Sequence, residues 1–150
     1  MAILSHLTDE IKAAMRAKDT LRLEALRAIK SAMMLVQTSA GGSNELTEEE
    51  EIKLVQKLVK QRKDSAQIFR EQNRADLAEP EEAQAEIIAA FLPEQLTEQE
   101  IGAIVAQVIE ELNATSMQDM GKVMGKASQV MAGKADGKTI STIVRNQLSA

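Results

Sequence analysis

Phe69 and Phe91 are the only aromatic side chains in the sequence, which also contains no Cys. A core must therefore be built from Leu, Ile, Val, Ala and Met. Ala and unbranched side chains lose little freedom in a helix, whereas strands rely on β-branched and aromatic residues. The palette points to an all-α protein. The absence of Cys excludes disulfides, thiolate metal sites and cysteine nucleophiles. It also favours the cytoplasm over a secreted, stapled fold.

Hydrophobic spacing supports the helical expectation. Ile3, Leu4, Leu7, Ile11, Ala14 and Met15 recur at helical intervals and define a first helix. Asp19 is a good N-cap for a second helix to about Gln37. Residues 39–44, with Gly41 and Gly42, read as a flexible connection. Thr47 and Glu50 form a capping box that opens a third helix to about Gln72. Residues 73–79 read as a break, and Pro80 suits the first turn of a fourth helix that ends at Phe91 or Leu92. Beyond Pro93, Thr97 with Glu100 opens a fifth helix to about Asn113. Ser116 with Asp119 opens a sixth to about Ala132, Gly133 fits its stop, and Asp136 caps a seventh through Leu148. The expected organisation is an N-terminal domain of about four helices, residues 1–94, and a C-terminal three-helix domain, residues 95–150.

The net charge of −5 argues against a protein that coats nucleic acid through bulk charge. The charge is unevenly spread. Acid gathers at Glu48–Glu51 and at Glu79, Glu81, Glu82 and Glu86. From Met117 onward the chain is basic: Lys122, Lys126, Lys134, Lys138 and Arg145 oppose only Asp119 and Asp136. The opening MAILSHLTDEIK does not read as a signal peptide. No apolar run approaches the roughly 20 residues that a membrane helix needs.

Several residues break the helical pattern. Arg62 interrupts the apolar arc of the third helix, with Ser65 at its side. It is either a structural pair with a nearby acid or a group facing a partner. Lys63 and Arg70 flank the exposed mixed-charge face of that helix. Met117, Met120, Val123, Met124, Ala127, Val130 and Met131 form a stripe on the sixth helix, read as core or as an adaptable binding groove. Gly121 and Gly125 lie four apart on another side of it. Each costs roughly 1 kcal/mol against Ala, an outlay that close approach of a neighbouring helix or a phosphate chain would offset. His6 stands alone, and no phosphate-cradling loop, nucleophile motif or paired Glu-x-x-His pattern is present. The residues call for no metal and no cofactor, and they do not support catalysis by this chain alone.

Asp119-Met120-Gly121-Lys122-Val123-Met124 followed by Gly133-Lys134-Ala135-Asp136-Gly137 is similar to the signature of the GatB/YqeY family. So are Lys60-Gln61-Arg62-Lys63-Asp64-Ser65, the Arg74-Ala75-Asp76-Leu77 turn and Leu92-Pro93-Glu94-Gln95-Leu96. The five motifs occur in order across essentially the whole chain. The departures are Pro80, where an ordinary helix residue is expected, and Lys134, where the family often carries Arg. The resemblance implies kinship with the helical tail of GatB, a component of the tRNA-dependent amidotransferase. That enzyme converts Glu-tRNA(Gln) or Asp-tRNA(Asn) to the amide with glutamine as nitrogen donor. The family label is a carbon–nitrogen ligase, but the catalytic domain lies outside what this chain resembles. The resemblance therefore implies an accessory that engages tRNA or a tRNA-bearing enzyme in the cytoplasm. Lys122, Lys126, Lys134, Lys138 and Arg145 would be the RNA-contacting residues, with Gly121 and Gly125 permitting close approach. Arg62, Ser65 and Arg74 would be structural or partner-facing. The alternative is a regulatory module that binds another protein without RNA.

Overall fold

The computed structural model of the protein describes residues 2–39 and 45–150. The connection expected at 39–44 therefore lies, apart from Ser39, outside the described residues. The described chain is all-helical: α1 (Ala2–Arg16), α2 (Thr20–Ser39), α3 (Glu48–Glu71), α4 (Ala75–Ala89), α5 (Glu98–Glu111), α6 (Met120–Val130) and α7 (Gly137–Leu148). A single 3₁₀ turn, Met117–Asp119, leads into α6. The chain divides into two compact units, Met1–Leu92 and Pro93–Ala150.

The caps read from the sequence are formed. Thr47 and Thr97 each accept a hydrogen bond from the backbone N–H three residues on, and Glu50 and Glu100 reach back to complete the boxes. Asp19 accepts from Arg22 N, and Asp136 accepts from Thr139 N. Ser116 instead starts the 3₁₀ turn, so α6 proper begins later than expected.

The helix ends show what the sequence analysis overlooked. Lys18, Asn73 and Asn113 adopt φ of 56°, 59° and 53°. At each, two backbone N–H groups fold back onto the last turn, as in Asn73 N to Arg70 O and Arg74 N to Phe69 O. Asn tolerates this left-handed backbone well. The turn after α3 is consequently very short. The expected break at 73–79 is thereby corrected: α4 starts at Ala75, and Pro80 lies inside it. A proline there deprives the Asp76 carbonyl of its helical partner. The extensive packing of α4 along α3 offsets that cost. Ala66 of α3 and Ala78 and Ala85 of α4 are all buried.

Leu7, Leu26, Ile29, Met33, Val55 and Ile88 centre the first core, while Met15, expected on the buried stripe of α1, is exposed. In the second unit Ile101, Val105 and Val108 of α5 meet Val123, Ala127 and Met131 and then Ile140, Val144 and Leu148. Burial of this aliphatic surface is the principal force holding each bundle. The methionine stripe of α6 is thus mainly core. Met120 and Met124 pack partly buried against it, whereas Met117 and Val130 are exposed.

Candidate nucleic-acid interface on the C-terminal unit

Two polar contacts orient the helices of the second unit. Lys126 Nζ of α6 lies 2.9 Å from Glu111 Oε2 of α5. Gln147 Nε2 of α7 donates to the Gly102 carbonyl of α5 at 2.9 Å. With 3.6 residues per turn, these contacts define which flank of α6 and α7 faces α5. The flank of α6 opposite Lys126 carries Gly121 and Ser128, and Gly125 faces away from the buried stripe of Val123, Ala127 and Met131; all three are exposed. The opposite flank of α7 carries Lys138 and Arg145, also exposed, with half-buried Ser141 between them. The α6 flank is thus small and neutral, and the α7 flank is basic.

Lys122, Lys134, Lys138 and Arg145 are exposed, and none forms an ion pair among the described residues. Lys126 is different. Its ammonium is held by Glu111, whose carboxyl is kept below the usual range mainly by that hydrogen bond. Asp119 is likewise lowered, chiefly by the N–H groups of Thr115 and Ser116 and lastly by the Lys122 charge. The amino end of α7 is partly occupied as well. Asp136 takes Thr139 N at 2.9 Å and the Thr139 hydroxyl at 2.7 Å, leaving less for an incoming phosphate.

The glycines correct one expectation. A Cβ at Gly121 or Gly125 would meet no other atom within 4 Å. No neighbouring helix of the unit exploits their small size, so only an external group would do so.

Arg62, Ser65 and Arg74 belong to the first unit, whereas Lys122, Lys126, Lys134, Lys138 and Arg145 belong to the second. Arg62 is half-buried rather than buried, and its partner is an amide. Nε donates to Gln84 Oε1 at 3.1 Å and Nη1 to the Leu58 carbonyl at 3.3 Å. Gln84 passes the contact on to Glu24 at 3.3 Å. A carboxamide satisfies a guanidinium without a second charge to desolvate. Arg74 is exposed and clamps its own Asp76 through two hydrogen bonds. Arg70, expected to extend a basic strip, is taken up by Glu82. Ser65 is half-buried beside this network.

The sequence analysis missed Glu51, Gln84, Gln95 and Gln147. Glu51 carried a signal: it lies four residues before Val55, on the buried face of α3, inside what looked like a solvated acidic run. Gln95 stood only within the Leu92–Leu96 motif, and Gln84 and Gln147 gave no signal, since their roles depend on tertiary placement.

An all-helical protein in two compact units is the class these features define. The chain belongs to the Yqey-like protein family, which matches residues 4–148. It is similar to "Altered inheritance of mitochondria protein 41, mitochondrial" of Lachancea thermotolerans, 32% identical over 144 residues that cover 95% of this chain and 76% of the relative. The protein of the same name in Pyrenophora tritici-repentis is 29% identical over 151 residues, covering 99% and 82%. A subunit of the glutamyl-tRNA(Gln) amidotransferase of Thermococcus gammatolerans is 37% identical over 73 residues, covering 46% of this chain and 12% of that protein. Among the described residues, no helix is long and apolar enough to cross a membrane, and no group of three or more His, Asp or Glu is placed to hold a metal ion.

Proposed function

We propose that the protein is an accessory binding module that engages folded tRNA, or an enzyme carrying tRNA, through its C-terminal unit, in connection with glutamine-dependent tRNA amidation. The observation that carries this is the set of exposed basic residues on the C-terminal unit that form no ion pair among the described residues. Lys138 and Arg145 share one flank of α7, in a protein whose net charge is negative. Lys122 and Lys134 extend the basic surface. Lys126 contributes only when it leaves Glu111, so it ranks below the other four. The partial similarity to a component of an amidotransferase is in keeping with this reading.

The mode of binding follows from composition. Proteins that hold single strands stack bases on aromatic side chains, and this chain has only two aromatic residues. Recognition would rest on shape and phosphate contacts. The test compares a fluorescent folded tRNA with a single-stranded homopolymer of similar length. Preference for the folded RNA is expected, and equal binding of both would count against the proposal.

A second reading has one observation in its favour. Met34, Leu35 and Val36 of α2 are exposed, Leu35 to 69%, and an apolar surface of this kind suits a protein partner. Capture of partners that persists after ribonuclease treatment, together with no tRNA binding, would favour that reading.

A further inference from the structure

The segment before α5 and the turn after α6 are locked together. One Gln95 amide nitrogen donates to both the Pro93 carbonyl, at 2.7 Å, and the Gly133 carbonyl, at 2.8 Å. Leu96 N donates to the Lys134 carbonyl at 2.8 Å, and Lys134 N donates to Met131 O at 2.9 Å. The backbone of Lys134 is therefore held at both its N–H and its C=O. Its neighbours Met131 and Ala135 are buried, and Gly133 makes the turn with φ of 78°. Lys134 is the one residue of the basic surface that sits on a turn rather than on a helix. A lysine on a loose turn would have to be ordered on binding, whereas one on a fixed backbone avoids much of that cost. The Gln95 carboxamide is suited to this role because both its hydrogens are engaged and a carboxylate could not donate to either carbonyl.

We propose that Gln95 is a positioning residue for the basic surface, fixing the α6–α7 turn so that Lys134 meets a phosphate backbone in one defined place. This rests on the tRNA reading above. The test uses the full chain and four variants: Lys134→Ala, Gln95→Ala, the double variant, and Gln95→Met, which keeps the bulk and loses the donors. Folded tRNA is titrated over a salt series, amide exchange is followed at Leu96 and Lys134, and helicity is checked by circular dichroism.

Lys134→Ala should make the negative slope of log affinity against log salt shallower by roughly 0.7–0.9, the share of one phosphate contact. Gln95→Ala and Gln95→Met should flatten it as far, although the lysine charge remains, and should speed exchange at Leu96. The double variant should show no further loss. Simple destabilisation would weaken binding without this shared change in slope. Slopes that add in the double variant, or a native slope in a folded Gln95→Met, would overturn the positioning role while leaving tRNA binding intact. No tRNA binding by the native chain would overturn the tRNA reading and this proposal with it.

Discussion

Glu51 Oε2 accepts the Leu4 backbone N–H at 3.0 Å, so a fully buried carboxylate on α3 caps the amino end of α1. The first turn of α1 has no acidic residue of its own. Glu51 both satisfies one of the helix's orphan N–H groups and opposes the positive end of its dipole. Glu51→Ala should lower stability by about 1–2 kcal/mol, read as a reduced urea midpoint. Glu51→Gln, which keeps an acceptor oxygen, should lose less. Equal losses would show that the negative charge matters and the acceptor does not.

Arg62 and Gln84 should act as a unit. Truncating either removes the α3–α4 contact, and a hydrogen bond to a charged group is worth about 1.5–3 kcal/mol. Since Arg62 is only half-buried, Arg62→Ala is expected to cost about 1–2 kcal/mol. In a double-mutant cycle, Gln84→Ala should cost less once Arg62 is gone, the remainder reflecting its hydrogen bond to Glu24. Full additivity would show that the two side chains stabilise the hairpin independently.

Acid should weaken the first unit. Hydrogen bonds from Arg70 and Arg74 hold the Glu82 and Asp76 carboxyls below their ordinary values. Folded-state values below the unfolded ones mean that this stability is present above about pH 4. It is lost as pH falls through the depressed values. The urea midpoint should be flat from neutral pH down to about 5, then decline. Glu82→Gln should make the decline shallower, and an unchanged profile would show that the exposed pair contributes nothing to folding.

Gly125→Ala should stabilise the protein. The position is helical and a Cβ there meets open space, so Ala should gain about 0.5–1 kcal/mol. If the exposed face of α6 receives a phosphate chain, the same variant should bind tRNA more weakly despite melting higher. A stabilised variant with native affinity would take the glycine flank out of the interface.

Much of the architecture was legible because it depends on local chemistry. Thr47, Thr97 and Asp136 cap helices through contacts three residues away, and α1, α3 and α6 carry apolar stripes at helical spacing. Pro80 misled for the complementary reason. Its local preference for a first turn lost to tertiary packing, the extensive contact of α4 with α3. The basic residues of the candidate interface could be listed from sequence, but their neighbours could not. Glu111 is fifteen positions from Lys126, and Gln95 is thirty-eight from Gly133. Separations of that size carry no periodic signal.

The central claim is that exposed basic residues of the second unit contact tRNA phosphates. It is tested most directly by fluorescence anisotropy with folded tRNA over a salt series. The native chain is compared with a Lys134→Glu, Lys138→Glu double variant and with Lys126→Ala. Three or four phosphate contacts predict a native slope of roughly −2 to −4. The double variant should lose most of its affinity and flatten the slope, while Lys126→Ala, already engaged by Glu111, should change little. No binding at low salt, or identical curves for the native chain and the double variant, would contradict the account.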